Sequence, residues 1–313
     1  MIETLAITLK ISLPVFAYLI LGILIKQTKL VPTLLWKYLG QSVYFLFIPI
    51  LLFTSLYTAN LSQAFNPQLL IFGITGMLAL ILLSMRIIKV LNLPLQQRPV
   101  IVQAVYRSNI TMIALPVLMR MYPSDEVAQL SIFVVLMVPF FNLAAILLYK
   151  IYRKDPLEPL SIVLDVLKNP LIIGSILGIL LNLLQLELPI NLNIVVQLLR
   201  SLANPIALIS VGASLAFQSL LKHKKLLLNL SLVRLLLVPA LFFLFGYLCG
   251  FRHSELVAIL LVFGAPLPTA VYQMSIIYNA DYELSAQTIL IHVLGSMLTI
   301  PFWIFILLSL NLT

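Results

Sequence analysis

Residues 255–278 read ELVAILLVFGAPLPTAVYQMSIIY, a stretch long and apolar enough to cross a bilayer but interrupted at its centre by Gly264-Ala265-Pro266-Leu267-Pro268-Thr269. A spanning helix needs roughly 20 apolar residues at about 1.5 Å each. Two prolines one residue apart remove two backbone donors and clash with the preceding turn, so this segment cannot be one continuous helix. Residues 99–121, PVIVQAVYRSNITMIALPVLMRM, have the same character. There, Tyr106-Arg107-Ser108-Asn109-Ile110-Thr111 and then Leu115-Pro116 interrupt an apolar run. Irregular backbone is tolerated at membrane depth only where protein buries it or where it lines a cavity. The two stretches therefore predict two broken spans with free backbone donors and acceptors near the midplane.

The rest of the chain fits that setting. Of 313 residues, 62% are hydrophobic and 9% charged, with a mean hydropathy of +1.13. Soluble domains carry about a quarter charged residues, so a soluble fold is excluded. Apolar runs predict ten spans near 4–25, 37–57, 68–90, 99–121, 127–149, 167–186, 192–217, 226–249, 255–278 and 284–308. The whole is a single transmembrane domain, all-α. The first run has no small-residue cleavage site and reads as a permanent helix. The lone cysteine, Cys249, rules out an intramolecular disulfide framework.

The formal charge of +9 does not point to nucleic acid, because the cations fall in short loops between spans. Lys26, Lys29, Lys37, Arg86, Lys89, Arg98, Lys150, Arg153, Lys154, Lys168, Lys222, Lys224 and Lys225 cluster at the odd-numbered loops, while the even loops hold Arg120 and Arg252. The positive-inside rule then places odd loops in the cytoplasm and both termini outside.

An internal repeat is visible. Pro14 precedes Gly22-Ile23-Leu24 by eight residues, and Pro170 precedes Gly178-Ile179-Leu180 by the same eight, 156 positions later; Pro49 and Pro205 share that offset. Val138-Pro139-Phe140-Phe141 and Ile300-Pro301-Phe302-Trp303 match at 162. The repeats cover about 1–150 and 160–313. Five spans is an odd number, so the second copy enters from the opposite face. That gives two inverted five-helix repeats, with spans 4 and 9 as the corresponding broken helices. The second half of each broken helix presents a positive N-terminal end suited to an anion.

The run from Arg107-Ser108-Asn109 to Leu115-Pro116-Val117, and Ala265-Pro266-Leu267-Pro268-Thr269-Ala270-Val271 followed by Asp281, resemble signatures of the auxin efflux carrier family over essentially the whole chain. That family includes plant PIN-type auxin carriers and bacterial permeases assigned to malate, malonate and related carboxylates. The resemblance implies ten helices, with spans 4 and 9 crossing at proline-marked breaks beside the substrate. It marks Asn109, Thr111, Pro116, Pro266, Pro268 and Thr269 as crossover residues. Gln273 stands where members commonly carry Asn. The short fifth loop favours a bacterial-type permease of the inner membrane, and dimerisation is suggested by the resemblance alone.

Among other intramembrane polar residues, Arg107 can pair with a substrate carboxylate, cap neighbouring carbonyls or snorkel. His292 can carry protons or simply pack. Arg200, Arg234 and Asn142 read as structural. No carboxylate falls at mid-depth, so a carboxylate-based sodium site has no support, and neither a metal nor a cofactor is expected. The three histidines are scattered, and no H-E-x-x-H or G-x-S-x-G motif is present, which argues against an enzyme. The expected function is a secondary transporter of a small organic anion working by alternating access; the alternative is a non-transporting receptor or scaffold of the same fold. The expected partners are that anion and the lipid bilayer.

Overall fold

The computed structural model describes residues 17, 18, 20–58, 66–114, 117, 118, 121, 122, 124–153, 164, 167–214 and 223–310. These residues are helical, with short turns and no strand among them. The elements are α1 (20–27), α2 (Thr33–Ser42), α3 (Ile48–Tyr57), α4 (Pro67–Val90), α5 (Arg98–Tyr106), α6 (Ser124–Arg153), α7 (Pro170–Leu183), α8 (Ile190–Ser214), α9 (Lys224–Leu232), α10 (Val238–Leu248), α11 (His253–Gly264), α12 (Ala270–Ile277) and α13 (Tyr282–Ser309). π-Helical turns at Val43–Phe47, Ile110–Ala114 and Val233–Leu237 complete the set.

Among the described residues, five helical stretches are long and apolar enough to cross a membrane: Pro67–Val90, Leu136–Arg153, Ile190–Ser210, Lys224–Leu248 and Tyr282–Ser309. Shorter apolar helices cover Tyr38–Thr54, Pro170–Leu183 and His253–Gly264. The fourth and ninth expected spans are absent from the long set because each is divided in the middle. Most of the first expected span lies outside the described residues. Many leucines and isoleucines on the outer faces are exposed, among them Leu82, Leu184, Ile190 and Leu298. A bilayer covers such surface without cost.

Two of the π turns have a local cause. Pro49 and Pro239 each follow a π turn by two residues, and a proline ring cannot accept the usual carbonyl four residues back. Widening the preceding turn makes room for it. The carbonyl relieved by Pro239 is that of Leu235, and Trp303 Nε1 donates to it at 2.9 Å. The same turn carries Arg234, which is fully buried. Ten residues into a continuous helix, it does not snorkel.

Helix contacts are set by glycines. A Cβ on Gly178 of α7 would lie 2.5 Å from the Phe53 carbonyl oxygen of α3, and one on Gly174 would lie 2.5 Å from that of Pro49. A Cβ on Gly22 of α1 would lie 2.2 Å from the Ile209 oxygen of α8. These backbones touch because no side chain separates them.

Connections meet at the helix ends. Asn66 Nδ2 donates to Glu255 Oε1 at 2.7 Å, which joins the start of α4 to the start of α11. Asn182 Nδ2 donates to the Tyr57 carbonyl at 2.7 Å, joining the ends of α7 and α3. Gln97 Nε2 donates to Asp281 Oδ2 at 3.0 Å, and the Asp281 amide donates to the Gln96 carbonyl at 3.0 Å, so the start of α5 meets the start of α13.

Candidate functional site

The ninth expected span breaks as its prolines dictate. α11 ends at Gly264, and Ala265 is extended at φ −67°, ψ 151°, the conformation that a following proline imposes. Helix resumes only at Ala270. The fourth expected span breaks earlier than its proline suggests. The last helical bond of α5 runs from the Arg107 amide to the Gln103 carbonyl at 2.9 Å, and Arg107 is itself extended at φ −88°, ψ 133°. Pro116 lies outside the described residues and is seven positions beyond Asn109, where the irregular backbone has already given way to a π turn.

Bonds between the two spans replace the lost helical ones. The Asn109 amide donates to the Pro266 carbonyl at 2.8 Å, and the Ser108 hydroxyl donates to the Val262 carbonyl. Arg234 closes the junction. Its Nη1 donates to the Val105 carbonyl at 2.9 Å; its Nε and Nη2 donate to the Ala265 carbonyl at 3.0 and 2.9 Å; and Nη2 also reaches the Ser108 hydroxyl. One guanidinium thus supplies donors to carbonyls on both broken spans, where unpaired groups would cost about 1–3 kcal/mol each. The sequence reading of Arg234 as structural stands, but its position at the crossover had no signal beyond a charge in an apolar run.

Beside this junction is a cavity of about 60 Å³. Its polar wall is Arg107, Ser108, Asn109, Asn142 and Thr269, and its apolar wall includes Ile48, Leu52, Phe141 and Ala207. Pro268 and Ala270, at the start of α12, also border it. No carboxylate lines it among the described residues. Arg107 is 3% exposed. It donates to Gln103 Oε1 at 2.8 Å, to Met274 Sδ at 3.1 Å and to Asn142 Oδ1, all neutral groups. Asn142 is 2% exposed, and its Nδ2 donor has no hydrogen-bond partner among the described residues. Among the described residues, the cavity wall therefore carries a cation without a counter-charge and an amide donor without an acceptor.

The expected site residues divide accordingly. Arg107, Asn109, Pro268 and Thr269 line the cavity together. Pro266 contributes its carbonyl to the strand contact and does not line it. Thr111 falls in the π turn Ile110–Ala114; its side chain is outside the described residues. Gln273 lies one turn further along α12, with its Nε2 3.5 Å from the Ser210 hydroxyl of α8 and its Oε1 close over Gly40 of α2. His292 of α13 is fully buried, packed near Arg234 and the Leu230 backbone, and is not part of the cavity wall. Asn142, read from the sequence as interhelical glue, proves to be both Arg107's partner and a cavity residue.

A comparison with protein families matches residues 8–304 to the family described as membrane transport protein. The chain belongs to this family, that of the auxin efflux carriers. Its members are transporters rather than enzymes, and the protein is an integral membrane transport protein. A search of the curated proteins gave no match.

Proposed function

We propose that this membrane transport protein moves a small organic anion of carboxylate type across the bilayer, by alternating access at the crossover of its two broken spans. The observation that carries the reading is that one cavity holds both Arg107, a buried cation whose partners among the described residues are neutral, and an Asn142 donor with no acceptor among them. A carboxylate satisfies both: one oxygen pairs with the guanidinium and the other accepts from the amide. The start of α12 adds the positive end of a helix to the same wall. A volume of about 60 Å³ suits a guest of few atoms.

The frame proposed for this chemistry is ten spans in two inverted repeats, about 1–150 and 160–313. Reciprocal glycine contacts support it. Gly22 and Gly178 are 156 positions apart, as are Phe53 and Ile209, and Gly178 rests on Phe53 while Gly22 rests on Ile209. The first span of each half leans on the second span of the other, an exchange that a twofold axis produces. The loop contacts support alternating direction: Asn66 with Glu255 and Asn182 with Tyr57 join even-numbered loops or their span ends, and Gln97 with Asp281 joins odd ones. With the positive-inside bias, the odd side is cytoplasmic, both termini are outside, and a bacterial inner membrane is the setting.

Purified protein in liposomes tests this reading. Saturable counterflow of at least one member of a panel of mono- and dicarboxylates, aromatic acids included, is expected. A receptor or scaffold would bind without counterflow, and absence of both binding and flux across the panel would sink the proposal.

A further inference from the structure

We infer that a second, outer cavity is a staging site, where the carboxylate is held before it enters the crossover. The inference rests on the anion-carrier reading above. This cavity has a volume of about 380 Å³ and is lined by Lys150, Arg153 and Lys168 together with Tyr44, Asn169 and Tyr278. Lys150 and Arg153 stand on the last turns of α6, and Lys168 lies just before α7, whose N-cap is Asn169.

The two cavities are stacked along shared walls. The helix running through α2 and α3 contributes Tyr44 to the outer cavity and Ile48 to the inner one; α6 contributes Ile146 to the outer and Asn142 to the inner. Each pair is four residues apart, about one helical turn or roughly 6 Å along the axis. α12 also reaches both, through Ile277 at one end and Ala270 at the other. The barrier between a wide, cationic chamber and the small Arg107 cavity is therefore about one turn thick.

A line of polar side chains runs beside the two cavities. Asn169 Nδ2 donates to the Tyr44 hydroxyl at 2.8 Å and lies 3.4 Å from that of Tyr278. The Tyr278 ring stacks on Tyr149 with centroids 4.8 Å apart, and the Tyr149 hydroxyl is 2.9 Å from that of Ser275. Tyr149 also faces Gln103, whose Oε1 accepts from Arg107. Hydroxyls and amides thus run from the outer cations to the inner one. Three cations in one concavity concentrate anions near its mouth, and Tyr44, Asn169 and Tyr278 on the same wall offer polar groups to a carboxylate held there.

An oxyanion on a lipid headgroup has the same chemistry, and the test separates the two. The variant Lys150→Gln/Arg153→Gln/Lys168→Gln is reconstituted in oriented vesicles of phosphatidylcholine, alone or mixed with phosphatidylglycerol, with malonate, malate and indole-3-acetate as probes. For transport entering from the face that bears Lys168, KM should rise about tenfold, with Vmax and the opposite-face KM unchanged and with the same rise in both lipids. The single variant Lys168→Gln, at an exposed position, should give a smaller rise that added salt abolishes, so the test survives even if the triple variant unfolds. Wild-type KM values on both faces would overturn the staging site while leaving the carrier reading intact. A KM change confined to phosphatidylglycerol vesicles would assign the cavity to lipid and likewise overturn it. If wild type moves none of the probes, the staging site falls together with the carrier reading.

Discussion

Two arginines, buried near one crossover, have opposite sets of partners. Arg234 donates to backbone carbonyls of both broken spans, whereas Arg107 is held by two side-chain amides and a thioether beside a cavity. Their substitutions should therefore separate stability from function. Arg234→Met leaves the Val105 and Ala265 carbonyls unpaired, at about 1–3 kcal/mol each, and should lower the melting temperature in detergent by many degrees. Arg107→Gln removes a buried cation that has no counter-charge among the described residues, so the melting temperature should hold or rise. Carboxylate affinity should meanwhile fall at least about thirtyfold, the lower end of what truncating one member of a buried charge pair costs. Equal loss of stability in both variants would contradict the division of roles. The sequence marked both residues as charges in apolar runs and read Arg234 as structural and Arg107 as a candidate contact, but it named no partner for either. The difference lies in partners such as Val105, 129 positions from Arg234, and Asn142, 35 positions from Arg107.

At the scale of elements, the prolines were legible and their consequences only partly so. Pro266 and Pro268 break the ninth span where the sequence places the break, because the effect of a proline on its own helix is local. The fourth span breaks at Arg107 to Asn109, ahead of Pro116, since that break is maintained by bonds to Pro266, Val262 and Arg234 from other helices. No local pattern encodes such bonds. The glycines follow the same division. Their offset of 156 was readable, but the backbone contact each permits was not. Gly178→Ala and Gly22→Ala should each destabilise the protein by about 1–3 kcal/mol through overpacking, read as matched drops in melting temperature. A drop for one and none for the other would count against reciprocal packing of the two halves.

For the whole molecule, hydropathy and the distribution of Lys and Arg carried the fold class, because a bilayer selects for uninterrupted apolar length. They did not carry contacts between helices more than a hundred residues apart, such as Gly22 with Ile209 and Gly178 with Phe53. Sidedness is open to test through Cys249, the single cysteine in the chain, which is exposed between α10 and α11. A membrane-impermeant maleimide should label it in intact cells. Lys168→Cys in a Cys249→Ser background should be labelled only after permeabilisation. The reverse pattern would invert the proposed topology. The central claim, anion transport at a crossover built around Arg107, is tested most directly by counterflow of labelled carboxylates in liposomes containing either wild type or Arg107→Gln. Saturable counterflow in wild type and none in a variant with an unchanged melting temperature is the result expected here; flux that persists undiminished in Arg107→Gln would contradict it.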